Sequence, residues 1–118
     1  MKTTILDLSS RGYTSEQAAS ALELAEGVER VLLSNNAVEL LLFSPLNLRE
    51  LNISSNRLRE LSSLAQLRHL EQLDVSSNQL TSTGGLGLMP MLSTLNLACN
   101  SIEVVEGVEQ LCSLRSLD

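Results

Sequence analysis

The sequence predicts an α/β solenoid, a stack of short turns with a parallel β-sheet along its concave face. Convex arms of 3-10 and irregular chain would close each turn, and a helix would stand near the N-terminus. Three observations carry this reading. Leu supplies 27 of 118 residues, whereas the aromatics are Tyr13 and Phe43 alone. A core so short of rings must be filled by one side chain used repeatedly, which is the composition of a repeat. Apolar positions also recur at fixed spacing, with Leu48, Leu70, Leu92 and Leu114 standing 22 residues apart. Finally, an Asn occupies the same place in four copies, at Asn36, Asn56, Asn78 and Asn100. Leu, Ile, Val and Phe together make 38 residues, enough apolar surface to exclude disorder.

The first unit departs from the pattern. Leu6, Leu8 and Tyr13 take the strand and the next apolar position, but Arg11 stands where Asn would be. Its return arm, 14–26, is too long for a 3-10 segment and reads as a helix. Thr14 and Gln17 have capping-box spacing, the alanines and leucines from Ala18 to Ala25 favour helix, and Gly27 stands at the stop. Ala18, Leu22 and Ala25 share one helix face. Residues 1–27 are therefore expected to form a divergent capping repeat, since a solenoid must close its end.

Residues 28–118 hold four units and the start of another. The second unit starts at Val28, runs through Val31, Leu33, Asn36 and Val38, and is 20 residues long. Its arm carries Leu40, Leu41, Leu42, Phe43 and Leu46, too many for one interior. Leu40 or Leu42 is expected on the convex side or against the helix, with packing on the helix preferred to an exposed docking patch. The third unit is regular: Leu48, Leu51, Ile53, Asn56 and Leu58, then Leu61, Leu64 and Leu67 at period three. The fourth runs Leu70, Leu73, Val75, Asn78 and Leu80. Its glycine-rich arm, 83–90, is expected to turn Leu86 and Met89 inward, and it lacks the Gly-Lys-Ser/Thr ending of a phosphate loop. The fifth runs Leu92, Leu95, Leu97, Asn100 and Ile102, then Val105, Val108 and Leu111. Leu114 and Leu117 begin a sixth turn that stops part-way. This predicts an N-terminal fragment of a longer protein, whose open end could self-associate through an unpaired strand edge.

Elementary geometry explains the pattern. In L-x-L both leucines lie on one face of a strand, because side chains alternate. Period-three apolar spacing suits a 3-10 arm, where residues i and i+3 eclipse. One such turn cannot bury its own apolar face, but a stack can. The pattern L-x-x-L-x-L-x-x-N-x-L resembles leucine-rich repeats. The period-three tail resembles the short 22-residue subclass typified by a regulatory subunit of protein phosphatase 1. The resemblance covers 28–118 and implies a right-handed horseshoe. It also implies non-catalytic roles: an interaction module of a cytoskeletal, centriolar or flagellar scaffold, a phosphatase regulator, or a spliceosomal subunit.

The side chains divide by row. The Asn of the ninth row has donors and an acceptor for backbone groups of adjacent turns, so Asn36, Asn56, Asn78 and Asn100 are expected to form a structural ladder. The second, third and fifth rows face outward on the concave sheet. They supply the candidate partner-binding residues Ile5, Arg30, Leu32, Arg49, Asn52, Asp74 and Asn96. Ile5 and Leu32, with Arg30 and Arg49 alongside, make an apolar spot with a charged rim. The face has no Trp or Tyr, the usual hot-spot residues. Ser pairs in the seventh and eighth rows read as small residues tolerated at a tight bend. Cys99 lies at the edge of the face without an activating neighbour. Glu103, Glu106 and Glu109 form an acidic ridge, read as solvated.

The formal net charge is −6, and from 69 to 118 six acids face Arg115 alone. Such a chain disfavours nucleic-acid binding and could steer a basic partner surface. The two cysteines, Cys99 and Cys112, and the single His69 have neither metal-ligand nor disulfide-framework spacing. No cofactor is expected. The start, with Asp7 close behind a short apolar pair, does not read as a secretory signal, and no run approaches the length of a membrane span. A reducing, cytoplasmic setting follows as the expectation, with cytoskeletal association implied only by the resemblance. No catalytic constellation is visible. The reading is an interaction module of a larger scaffold with protein partners, or alternatively a phosphatase regulatory subunit.

Overall fold

The computed structural model describes residues 5–23, 27–42, 47–64, 66–84, 89–103 and the backbone of 116–117. Each turn contributes one short strand: β1 (Ile5–Asp7), β2 (Arg30–Leu32), β3 (Glu50–Asn52), β4 (Gln72–Asp74), β5 (Thr94–Asn96) and β6 (Ser116–Leu117). They form one open parallel sheet in sequence order. Register is regular, so Val31, Leu51, Leu73 and Leu95 stand side by side. A parallel ladder without crossover helices between most strands is the solenoid topology that the 22-residue period predicts.

The interior is built from the same four apolar rows in each turn. Val31, Leu33, Leu48, Leu51, Ile53, Leu58, Leu70, Leu73, Val75, Leu80, Leu92 and Leu95 are all buried. The third arm shows why period three works. Leu61, Leu64, Leu67 and Leu70 are buried, and successive N–H groups donate three residues back, from Leu64 to Leu61, Leu67 to Leu64 and Leu70 to Leu67. Only Ser62–Leu64 (a 3-10 turn) is regular, yet the eclipsed geometry keeps every leucine inward. A buried leucine is worth about 1.5–3 kcal/mol, so this arm anchors its turn strongly. In the fourth arm Thr83 is buried where the third has Leu61, and Met89 is buried where it has Leu67.

The ladder continues past the strand ends. Leu33 N donates to Asn52 O at 2.7 Å, Ile53 N to Asp74 O at 2.9 Å and Val75 N to Asn96 O at 3.0 Å. To leave the sheet the chain then turns sharply. Ser10, Asn35, Ser55, Ser77 and Cys99, the eighth residue of five successive turns, all have φ between 54° and 58°. The bend therefore takes a left-handed residue in each of these five turns, and small side chains meet it without glycine.

The ninth-row asparagines satisfy that bend. Asn56 Nδ2 donates to Leu33 O, Ile53 O and Ser54 O, and its Oδ1 accepts from Val38 N at 3.0 Å. Asn78 repeats this with Ile53, Val75 and Ser76 carbonyls and Leu58 N. Asn100 does so with Val75, Leu97 and Ala98 carbonyls and Leu80 N. Asn36 reaches back to Leu8 O, while Arg11 N and Tyr13 N both donate to its Oδ1. The first turn, with Arg11 in the ninth row, is thus held by the asparagine of the second.

Helix α1 (Ser15–Glu23) closes the N-terminal arm and buries Ala18 and Leu22. Its capping box is reciprocal: Thr14 N donates to Gln17 Oε1 at 2.9 Å, and Gln17 N to Thr14 Oγ1 at 3.4 Å. Gly27, with φ of 68°, supplies the left-handed residue after it. Leu24 and Ala25 lie outside the described residues. One expectation is corrected here. Leu41 is buried, but Leu40 is 44% and Leu42 51% exposed, so the helix does not cover them. Beside the shared apolar core of Ala18, Leu22, Val38 and Leu41, helix and second arm are joined by polar bonds, since Glu39 N and Leu40 N both donate to Ser15 Oγ. That bonding fixes the backbone with Leu41 inward and leaves both flanking side chains facing out. Phe43, Leu46, Leu86, Val105, Glu106, Val108, Glu109, Leu111 and the side chains of the sixth turn lie outside the described residues. The open-end expectation rests on them.

Candidate functional site

Strand alternation builds the concave face. Within β2 and β3 the middle residue is buried and its neighbours half-buried, and β4 and β5 follow the same order with a more exposed first residue. The outward residues of β2 to β5 line a shallow open groove of about 300 Å³. Its lining includes Leu32, Asn52, Asp74 and Asn96 of the fifth row, with Glu50, Gln72 and Thr94 of the third. Four sequence candidates are thereby brought together. Ile5, Arg30 and Arg49 are not part of the lining, and Ile5 stands 48% exposed on β1, next to Arg30 in register. Glu50, Gln72 and Thr94 were legible only as members of an outward row. Nothing in their residue type singles them out.

The fifth row has an internal bond that residue type alone does not announce. Asn52 Oδ1 accepts from Ser54 N at 3.0 Å and Ser54 Oγ at 2.7 Å. Asp74 Oδ1 accepts from Ser76 N at 3.0 Å and Ser76 Oγ at 2.6 Å, and Asp7 does the same with Ser9. Asn96 accepts from Ala98 N at 3.0 Å. The signal was present as Asp/Asn-x-Ser at three turns, an Asx turn that steers the chain into the bend. Each such side chain is pre-oriented through its Oδ1. At Asp7 the Ser9 hydroxyl, then the Ser9 N–H, hold the carboxyl below its ordinary value, with Arg11 adding to the effect.

The arginines of the rim are engaged. Arg30 donates to the Glu50 carboxylate on the next strand. Arg49 bonds Glu71 at 2.9 Å and lies 3.7 Å from Glu29, so it bridges acids on both neighbouring turns. The Arg49 pairs are exposed and the Arg30–Glu50 pair is partly so, and each contributes about 0–1 kcal/mol. Their consequence is electrostatic: both cations of the rim are neutralised within the sheet.

Cys99 is a free, exposed thiol at a left-handed position. Among the described residues, no group of three or more His, Cys, Asp or Glu side chains is placed to hold a metal ion. No helix among them is long and apolar enough to cross a membrane.

Comparison with known proteins agrees with this architecture. A family model described as leucine-rich repeats, in two copies, matches residues 46–87. Among solved structures, an internalin C2 from Listeria monocytogenes superposes with a TM-score of 0.84 at 25% identity, over 98% of this chain. An internalin F from the same organism matches 77% of this chain with a TM-score of 0.58 at 22% identity. The chain spans 50% of the first structure's length and 34% of the second's. No curated protein sequence matches it.

Proposed function

The chain is a leucine-rich repeat protein, and from that premise we propose that it is a non-catalytic binding module of a larger intracellular scaffold, possessing one contact surface in the concave groove between β2 and β5. Leucine-rich repeats are protein-interaction modules, and the groove is the observation that carries the assignment to this face. It gathers Leu32, Asn52, Asp74 and Asn96 into one concavity whose polar groups are already oriented by their own turns. Pre-oriented groups lose little freedom on binding, which favours recognition over a face of mobile side chains.

Affinity capture with the full-length protein tests this. Leu32→Asp and Asp74→Arg are each expected to lower partner recovery by about tenfold or more. Retention of every partner by both variants would rule the groove out. Recovery of a phosphatase catalytic subunit as the groove-dependent partner would select the regulatory-subunit role over a cytoskeleton-associated scaffold.

A further inference from the structure

The charge left on the concave face identifies the kind of segment it takes. The outward rows of β1 to β4 carry Glu29, Glu50, Glu71, Asp7 and Asp74 against Arg30 and Arg49. Both arginines are spent on Glu29, Glu50 and Glu71. Asp74 is the groove carboxylate with no ion pair among the described residues. It is half-buried, and only its Oδ1 is engaged, by Ser76. A half-buried carboxylate with a free oxygen is stabilised by a cation, and among the described residues the arginines of this face, Arg30 and Arg49, are already engaged.

The outward apolar residue of the same groove is Leu32, since Val31, Leu51 and Leu73 in its floor are buried strand centres. Leu32 and Asp74 both occupy the fifth row, and β2 and β4 are separated by β3. At about 4.8 Å per strand, the two positions are about 9.6 Å apart. An unfolded segment in the polyproline-II conformation repeats its facing every three residues, at about 3.1 Å each, or about 9.3 Å. A chain crossing the strands thus presents residues i and i+3 to these two positions together. Resting on the concave-groove reading above, we infer that the partner contributes an extended segment with an apolar residue and an Arg or Lys three positions apart. The apolar residue covers Leu32 and the cation pairs with Asp74. The free polar atoms of Asn52, between them, and Gln72 bond the segment's backbone.

The test is a titration of the 15N-labelled chain with acetyl-Ser-Leu-Ala-Pro-Arg-Ser-amide, followed by amide shifts. Shifts are expected to centre on β2 to β5 and to weaken as NaCl rises from about 0.02 to 0.3 M. Replacing the peptide's Arg by Glu is expected to weaken binding by about tenfold, and moving Arg one place nearer Leu by about threefold. Asp74→Asn is expected to weaken the Arg peptide about fivefold while leaving the fold intact, because Asn52 and Asn96 make the same Oδ1 bond in the same row. Equal binding of the Arg and Glu peptides, or no shift with either, overturns the inference. If capture of partners remains sensitive to Leu32→Asp while these peptides fail, the groove stands as a binding face and only the basic-segment assignment falls.

Discussion

Asn52 and Asn56 carry the same side chain on the same turn and do different work. Asn56 is 7% exposed and makes four bonds, two of them to the preceding turn at Leu33 O and Val38 N. Asn52 is half-buried, and its bonds stay within its own turn, at Ser54. The difference teaches which polar residue a solenoid cannot exchange. An amide whose bonds cross turns holds backbone groups that water cannot reach. An amide whose bonds are local only shapes the bend, and Asp replaces it at Asp7 and Asp74 with the same geometry.

The largest expected effect tests that contrast directly. Asn78→Asp would set a carboxylate oxygen against the carbonyls of Ile53, Val75 and Ser76, where Nδ2 now donates. A loss of about 3 kcal/mol or more in urea unfolding is expected, since a buried charge is left facing acceptors. Asn52→Asp, by contrast, is expected to stay within about 0.5 kcal/mol. If the two substitutions cost the same, the division between the rows is wrong.

Next is Asn78→Ala, expected to cost about 1–3 kcal/mol by leaving buried backbone groups unpaired. A loss under about 0.5 kcal/mol would mean that water replaces the ladder. Smaller again is the local bond: Ser76→Ala, which removes the hydroxyl bond to Asp74 and keeps the N–H bond, is expected to cost about 0.5–1 kcal/mol.

Ser55 lies between the two asparagines and tests the bend they share. Its φ is 54°. The left-handed conformation costs an L-residue about 1–2 kcal/mol, and glycine gives back about 0.5–1 kcal/mol in unfolded-state entropy. Ser55→Gly is therefore expected to stabilise by about 0.5 kcal/mol, and destabilisation would show that the hydroxyl has a bond worth more than the strain.

The smallest effect is on pH dependence. The bonds from Ser9 hold Asp7 below the usual carboxylate range. A carboxyl with a lowered folded value binds protons more weakly than the unfolded chain does. Its contribution is therefore complete at neutral pH and is lost as pH falls through that lowered value. Asp7→Asn is expected to flatten the acid limb of the stability profile slightly, and an unchanged limb would show that the Ser9 bonds exert no net preference for the charged form.

Reading the chain alone recovers the periodic parts of this picture best. The leucine rows, the ninth-row Asn and the Thr14–Gln17 cap are all set by short spacings, and each spacing has a single geometric meaning. Arg30 and Arg49 looked available because a list of outward residues has no neighbours in it. Only strand register places Glu50 beside Arg30 and both Glu29 and Glu71 beside Arg49. Leu40 and Leu42 looked like residues that needed cover. Their orientation follows from the bonds of Glu39 N and Leu40 N to Ser15 Oγ, a contact between turns that no local pattern encodes. The Ser pairs marked a tight bend, but its left-handed backbone was not legible because Ser, Asn and Cys fill the row, with no glycine to mark it.

The amino-acid sequence by itself determined the repeat length, the buried face of β2 to β5 and the residues that stitch one turn to the next. These depend on alternation and period, which are properties of a chain segment. Tertiary structure alone decided the charge of the concave face and the residues that share its groove. Neighbouring turns lie about 4.8 Å apart in space but some 22 residues apart in sequence. Which charges cancel and which carboxylate stays free is settled only when the turns are stacked.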